Sequence, residues 1–212
     1  MSTSATLLEN YFHLFIPGSS NAAETLFLLH GTGGDEYSLL DIAKMLMPQA
    51  NILSVRGNVL EGTYNRFFQR YADGTFNQAD LKRQTQALKN FIITAAKHYQ
   101  LNQTKICAIG YSNGANITAN LLLTSPQTIT TAILFRPTLP AKPAISPNLQ
   151  TTKVLIVSGT NDQLVQPELA TELSTLLKNA EANVKLVWRE AGHQLDYQDI
   201  DIAHQWLTET VL

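Results

Sequence analysis

The chain has 212 residues and only one cysteine, Cys107, so it forms no internal disulfide and no multi-cysteine metal site. Charge is also scarce: 15% of residues are charged, against about 25% in an ordinary soluble domain. Neither sign forms a run, and 15 basic against 17 acidic residues give a net charge of −2. That balance leaves no electrostatic footprint for nucleic acid or an anionic membrane. No stretch approaches the roughly 18 apolar residues needed to span a bilayer. Positions 1–8 contain no Lys or Arg, and Glu9 and His13 interrupt the apolar character that follows. A secretory signal is therefore not expected, and a cytoplasmic setting is. Much of the polar surface must come instead from 22 Thr and 29 Asn plus Gln. A hydrophobic fraction of 44% excludes a disordered chain, and the length suits one α/β domain over residues 1–212.

Short apolar runs alternate with longer helical patterns. The runs cover residues 11–16, 25–29, 51–55, 105–109, 131–135, 153–157 and 184–188. Several are apolar at nearly every position, such as Phe27-Leu28-Leu29 and Val154-Leu155-Ile156-Val157, as parallel strands covered on both faces must be. Helical patterns occupy 36–47, 78–100, 113–124, 166–179 and 197–212. Alternation of this kind predicts βαβ units, a mostly parallel sheet of about seven strands and helices on both faces. The first run reaches the second through about eight residues, too few for a crossover helix, so these two are expected to pair antiparallel. Residues 56–77 and 136–152 lack periodicity, and the second, with four of the eight prolines, reads as a loop. At 17 residues it is too short to be a second domain.

The strongest chemical signal is Gly110-Tyr111-Ser112-Asn113-Gly114, between a predicted strand and a predicted helix. This is the G-x-S-x-G nucleophile elbow in its proper context. A sharp strand-to-helix turn points the serine hydroxyl outward, and glycines on either side relieve the crowding. The helix N-terminus behind it favours developing negative charge. A second signal, His30-Gly31-Thr32-Gly33-Gly34, follows the strand at 25–29. Acyl transfer needs two backbone N–H groups aimed at the oxyanion, and these segments supply Asn113 and Thr32, with Gly33 in reserve for the second. A phosphate-cradling loop is the competing reading, but the Gly-Lys-Ser/Thr signature is absent and the glycine spacing is wrong for a dinucleotide turn. His30 is expected to hold the loop rather than act as a base.

The acid and base should follow the serine in the order Ser, Asp, His. Asp162 lies just past the run at 153–157, where functional groups of open α/β sheets collect. His193 lies in a Gly-His turn after the last strand. Asp196, Asp199 and Asp201 read as a helix start and solvated face, Asp73 and Asp80 precede the serine, and His13, His98 and His204 read as structural or solvated. The aromatics Tyr64, Phe67, Phe68, Tyr71 and Phe76 are expected to build an apolar substrate wall. Arg56 or Arg66 suits a substrate carboxylate or phosphate, although an ion pair with Asp35 or Glu36 is the preferred alternative. Cys107, within a strand, is expected to be a buried and inert thiol.

Together His30–Glu36, Gly110–Asn116, Gly159–Asp162 and Gly192-His193 resemble the bacterial phospholipase/carboxylesterase family of the α/β-hydrolase superfamily, relatives of the acyl-protein thioesterases. Residues 54–68, with Arg56-Gly57 and Asn65-Arg66-Phe67-Phe68, resemble the subgroup that includes hydroquinone-associated carboxylesterases. The resemblance implies an α/β-hydrolase fold and carboxylic-ester hydrolysis through an acyl-enzyme on Ser112; residues 136–152, where related enzymes often insert a helical cap, number only 17, so no cap domain is expected. It also implies no metal and no organic cofactor. Asn113 replaces the Gln usual in the thioesterase branch, which weakens a thioester assignment. The expected substrate is a small carboxylic ester, bounded by Arg56, Tyr64, Arg66, Phe67 and Phe68. The alternatives are an acyl thioesterase or lysophospholipase, or a non-catalytic small-ligand binder. No nucleic acid or membrane partner is expected, and the chain is expected as a monomer or homodimer.

Overall fold

The computed structural model describes residues 4–19 and 24–210. In chain order the elements are β1 (Thr6–Leu8), β2 (Tyr11–Ile16), β3 (Thr25–Leu29), α1 (Leu40–Leu46), β4 (Asn51–Val55), β5 (Val59–Glu61), β6 (Tyr64–Arg66), α2 (Gln78–His98), β7 (Ile106–Tyr111), α3 (Asn113–Thr124), β8 (Thr131–Phe135), β9 (Lys153–Gly159), α4 (Pro167–Asn179), β10 (Asn183–Arg189) and α5 (Tyr197–Thr210). Eight strands form one sheet in the order β1-β2-β4-β3-β7-β8-β9-β10. From β4 to β10 every pairing is parallel. The eighth strand, β1, is three residues long, too short for alternation to announce it.

One expected pairing is corrected. β2 is antiparallel, but its partners are β1 and β4, not β3. Short connections do favour antiparallel neighbours, yet here β4 enters between them. It pairs parallel with β3 on one side and antiparallel with β2 on the other.

Side chains of the central strands alternate between two cores, as the period of two requires. Phe27, Leu29, Ala108, Leu134 and Ile156 face one side, against α2, α3 and α4. Leu26, Leu28, Ile109, Ile133 and Leu155 face the other, against α1 and α5. Cys107 lies wholly inside this second core, where burial pushes its thiol pKa up to about 12. It is the inert thiol that its strand position suggested.

Local chemistry explains where helices stop short of the sequence pattern. The pattern at 36–47 becomes a helix only from Leu40. Asp35 accepts from the Tyr37 N–H and the Ser38 hydroxyl, so residues 35–38 form a side-chain-stabilised turn instead. In α2, Asn77 caps the first turn by accepting from the Asp80 N–H. The helix ends before Gln100, whose φ of 55° lies in the left-handed region. Residues 136–152 contain no helix or strand, as expected of a segment with no cap.

Candidate active site

Parallel strands deliver their C-terminal ends to one edge of the sheet, and the site is built there. Ser112 follows β7 with φ 51° and ψ −112°, a conformation few residues with a side chain adopt. Its N–H donates to the Phe135 carbonyl, and its carbonyl accepts from Asn116 to begin α3. The flanking glycines are required by backbone proximity. A Cβ on Gly110 would lie 2.6 Å from Ala115 Cα, and one on Gly114 would lie 2.1 Å from the Leu29 carbonyl oxygen.

The three residues expected to act together are brought together. His193 Nε2 lies 2.9 Å from Ser112 Oγ, and His193 Nδ1 lies 2.8 Å from Asp162 Oδ2. An ionised carboxylate only accepts hydrogen bonds. The imidazole proton therefore sits on Nδ1, and Nε2 is left to accept from the serine hydroxyl. Asp162 is fixed through its other oxygen, which accepts from the N–H groups of Leu164 and Val165 at 2.8 and 3.0 Å. Its side chain is 2% exposed.

Thr32, Ser112, Asn113 and His193 line one cavity of about 800 Å³. The loop after β3 lies against the serine, since a Cβ on Gly31 would come within 3.6 Å of Ser112 Cβ. Among the described residues the N–H groups of Thr32 and Asn113 have no hydrogen-bond partner, whereas Gly33 donates to the Asn65 carbonyl at 2.9 Å. That occupied donor removes Gly33 as a substitute for Thr32. His30 is buried and holds the loop, as expected. The Gly57 N–H donates to its Nε2 at 2.9 Å, so Nδ1 carries the proton toward the Gly31 carbonyl. Burial lowers its pKa below the usual value, consistent with a neutral ring.

Four of the five expected substrate contacts are corrected. Arg56 does not line the cavity. Its guanidinium forms a two-pronged pair with fully buried Glu36 at 2.6 and 2.7 Å, the preferred alternative. Phe67 and Phe68 are fully buried core residues, packed against the rings of His30 and Phe76. Tyr64 is exposed and covers Gly33 from outside the cavity. Of the aromatic cluster only Phe76 faces the cavity. Its remaining apolar wall comes from Leu139, Pro140, Leu164, Val165 and Leu169. Arg66 does line the cavity, and its carboxylate partner is Glu61 at 3.2 Å rather than Asp35 or Glu36.

Residues 56–77 instead clamp the site loops. Besides accepting from Gly33, Asn65 donates through Nδ2 to the Gly34 carbonyl at 2.9 Å. The Phe67 N–H donates to Asn113 Oδ1 at 2.7 Å, tying this segment to the first residue of α3. Side chains that looked like a substrate wall are held inside because their backbone serves two neighbouring loops.

Sequence reasoning missed Arg136 and misplaced Asp199. Both are 0% exposed by side chain and paired at 2.7 Å. Arg136 also donates to the carbonyls of Gly192, Gln194 and Val157. It therefore grips the turn on both sides of His193. Asp199 is thus no part of a solvated helix face. The only available signal was an Arg directly after an apolar strand, which composition and periodicity do not weigh. Tyr111 adds a further hold, its hydroxyl donating to the His193 carbonyl at 3.2 Å.

A mostly parallel sheet in this strand order, with a strained serine after β7 and His-Asp partners after β10 and β9, is an α/β-hydrolase. The phospholipase/carboxylesterase family profile matches residues 13–211, and the chain belongs to that family of ester hydrolases. It is 38% identical over 200 residues to the putative hydrolase MhqD of Bacillus subtilis, covering 94% of this chain and 99% of that one. The crystal structure of the Bacillus cereus carboxylesterase is 42% identical, with TM-score 0.91 over 94% of each chain. Atu2452 of Agrobacterium tumefaciens, a protein of unknown function, is 37% identical with TM-score 0.87, covering 96% of this chain and 99% of that one. Among the described residues no helix is long and apolar enough to cross a membrane.

Proposed function

We propose that the protein is a serine carboxylesterase that hydrolyses small carboxylic esters through an acyl-enzyme on Ser112. The observation that carries this reading is the continuous hydrogen-bond chain from Ser112 Oγ through His193 to Asp162. Ser112 Oγ attacks the ester carbonyl carbon while His193 Nε2 takes its proton. Asp162 holds the ring by its Nδ1–H and stabilises the imidazolium that forms. The carbonyl oxygen becomes an oxyanion and accepts from the N–H groups of Thr32 and Asn113, each such donor being worth about 10²–10³ in turnover. His193 then gives its proton to the departing alkoxide, which leaves as the alcohol. Water, deprotonated by the same nitrogen, attacks the acyl carbon, and collapse of the second intermediate frees the acid and restores the serine.

Small substrates are favoured by the cavity's lining. Apolar Phe76, Leu139, Pro140, Leu164, Val165 and Leu169 line it together with polar Arg66, Arg70 and Gln78. Among the described residues, 136–152 form no helical cap that would extend the apolar surface for a long acyl chain.

A fluorophosphonate probe tests the mechanism. The folded protein should be labelled at Ser112, with no labelling of Ser112→Ala. An unlabelled native protein, or a Ser112→Ala variant that keeps esterase turnover, would overturn the acyl-enzyme. Ser112→Ala is expected to lower kcat by about 10⁶, and Asp162→Asn by about 10⁴.

A further inference from the structure

The cavity beside Ser112 has an uneven charge. Arg66 and Arg70 both line it, and among the described residues no Asp or Glu does. One carboxylate, Glu61, faces both guanidinium groups. It takes the stronger contacts from Arg70, at 2.7, 2.9 and 3.0 Å, and a single 3.2 Å contact from Arg66. Two cations therefore share one anion.

Arg66 is the buried member, 3% exposed. Its Nε is turned to the Phe68 carbonyl and to Glu61, and its Nη1 donates to Thr32 Oγ1 at 2.7 Å. Among the described residues its Nη2 makes no hydrogen bond. Burial, and then the Arg70 charge, lower its pKa below the usual guanidinium value. A buried cation with incomplete compensation is costly to the fold alone. A carboxylate offers the geometry that a guanidinium fork matches. The threonine that Arg66 holds is the one assigned to the oxyanion under the esterase reading, and Arg66, Thr32 and Ser112 line the same cavity.

We propose that the ester taken by this cavity carries a carboxylate within a few bonds of its scissile carbonyl, and that Arg66, backed by Arg70, binds it. This rests on the Ser112 esterase reading and narrows its substrate class. Arg66 becomes the residue that sets specificity, in addition to steadying Thr32.

The test compares kcat/KM at neutral pH, by pH-stat, for two matched pairs of esters. The first places the carboxylate on the acyl side: monoethyl succinate against ethyl 4-methylpentanoate, in which an isopropyl group replaces the carboxylate. The second places it on the alcohol side: butyryloxyacetic acid against isobutyl butyrate. In at least one pair the wild type should favour the anion by roughly tenfold or more, the value of one charge-assisted hydrogen-bond pair. Arg66→Gln should bring that ratio near unity, chiefly through KM. Arg70→Gln, at a more exposed position, should reduce it in part. No preference in either pair, or a preference that survives Arg66→Gln, overturns the proposal and leaves the esterase reading intact. So does an equal loss on both members of a pair, since that is what a purely positioning role for Arg66 would give. A wild type inactive on all four esters defeats the esterase reading itself.

Discussion

The residue whose removal reaches furthest beyond its own contacts is Arg136. It has a left-handed backbone at φ 52°, is fully buried, and joins Asp199 to the carbonyls flanking His193. Arg136→Met would leave Asp199 as a buried charge with only the 3.3 Å contact to Arg189 as its remaining cation. The expected cost is about 3–5 kcal/mol in urea unfolding, characteristic of breaking a buried pair. A companion Asp199→Asn change should recover part of that stability. Turnover should fall more than KM rises, because the lost contacts position the histidine turn rather than bind substrate. A variant with unchanged stability would show that the pair does not anchor the histidine turn.

At the scale of elements, the four turns at the sheet edge contain most of the glycines that the sequence clusters there, but the turns need them unequally. Gly114 packs where α3 crosses β3, with no room for a Cβ beside Leu29 and His30. A Cβ on Gly159 would lie 2.3 Å from the Ala191 carbonyl oxygen, so β9 and the histidine turn also approach through bare backbone. Around Gly192 the nearest atom to an added Cβ is 3.8 Å away. Gly114→Ala is therefore expected to destabilise by about 3 kcal/mol or more. Gly192→Ala should stay within about 0.5 kcal/mol of wild type and retain most of its activity. Parallel thermal melts and esterase assays check both, and comparable losses would refute the distinction.

For the molecule as a whole, buried histidines link stability to pH. His13 and His30 are both almost fully buried, and desolvation lowers each pKa below the usual 6.5. The unfolded chain therefore takes up protons at these sites before the folded one does. Above pH 6.5 both states are neutral and the folded state keeps its full advantage. As pH falls below 6.5 toward the depressed folded values, that advantage is progressively lost, so stability rises with pH across this window. The urea midpoint should change little from pH 8 to 7 and fall from pH 6.5 to 5.5. A His13→Gln variant should show a shallower fall. A flat wild-type profile over the lower range would show that these histidines are not titrating with unfolding.

The sequence by itself determined the parallel core, the strand–helix alternation and the turns that carry Ser112, Asp162 and His193. These follow from local rules: apolar runs buried on both faces, a helix that begins where a strand turns, and polar residues at strand ends. It also anticipated the inert Cys107, the structural His30 and the Arg56–Glu36 pair. The tertiary structure alone decided which side chains of residues 56–77 face the cavity. Phe67 and Phe68 have the composition of a substrate wall, yet backbone hydrogen bonding from this segment to Asn113 draws both inward and leaves Arg66 beside Thr32. Likewise β4 separates β2 from β3, and Arg136 meets Asp199 across 63 positions of chain. Such contacts depend on where distant segments meet, and no local period or motif encodes that.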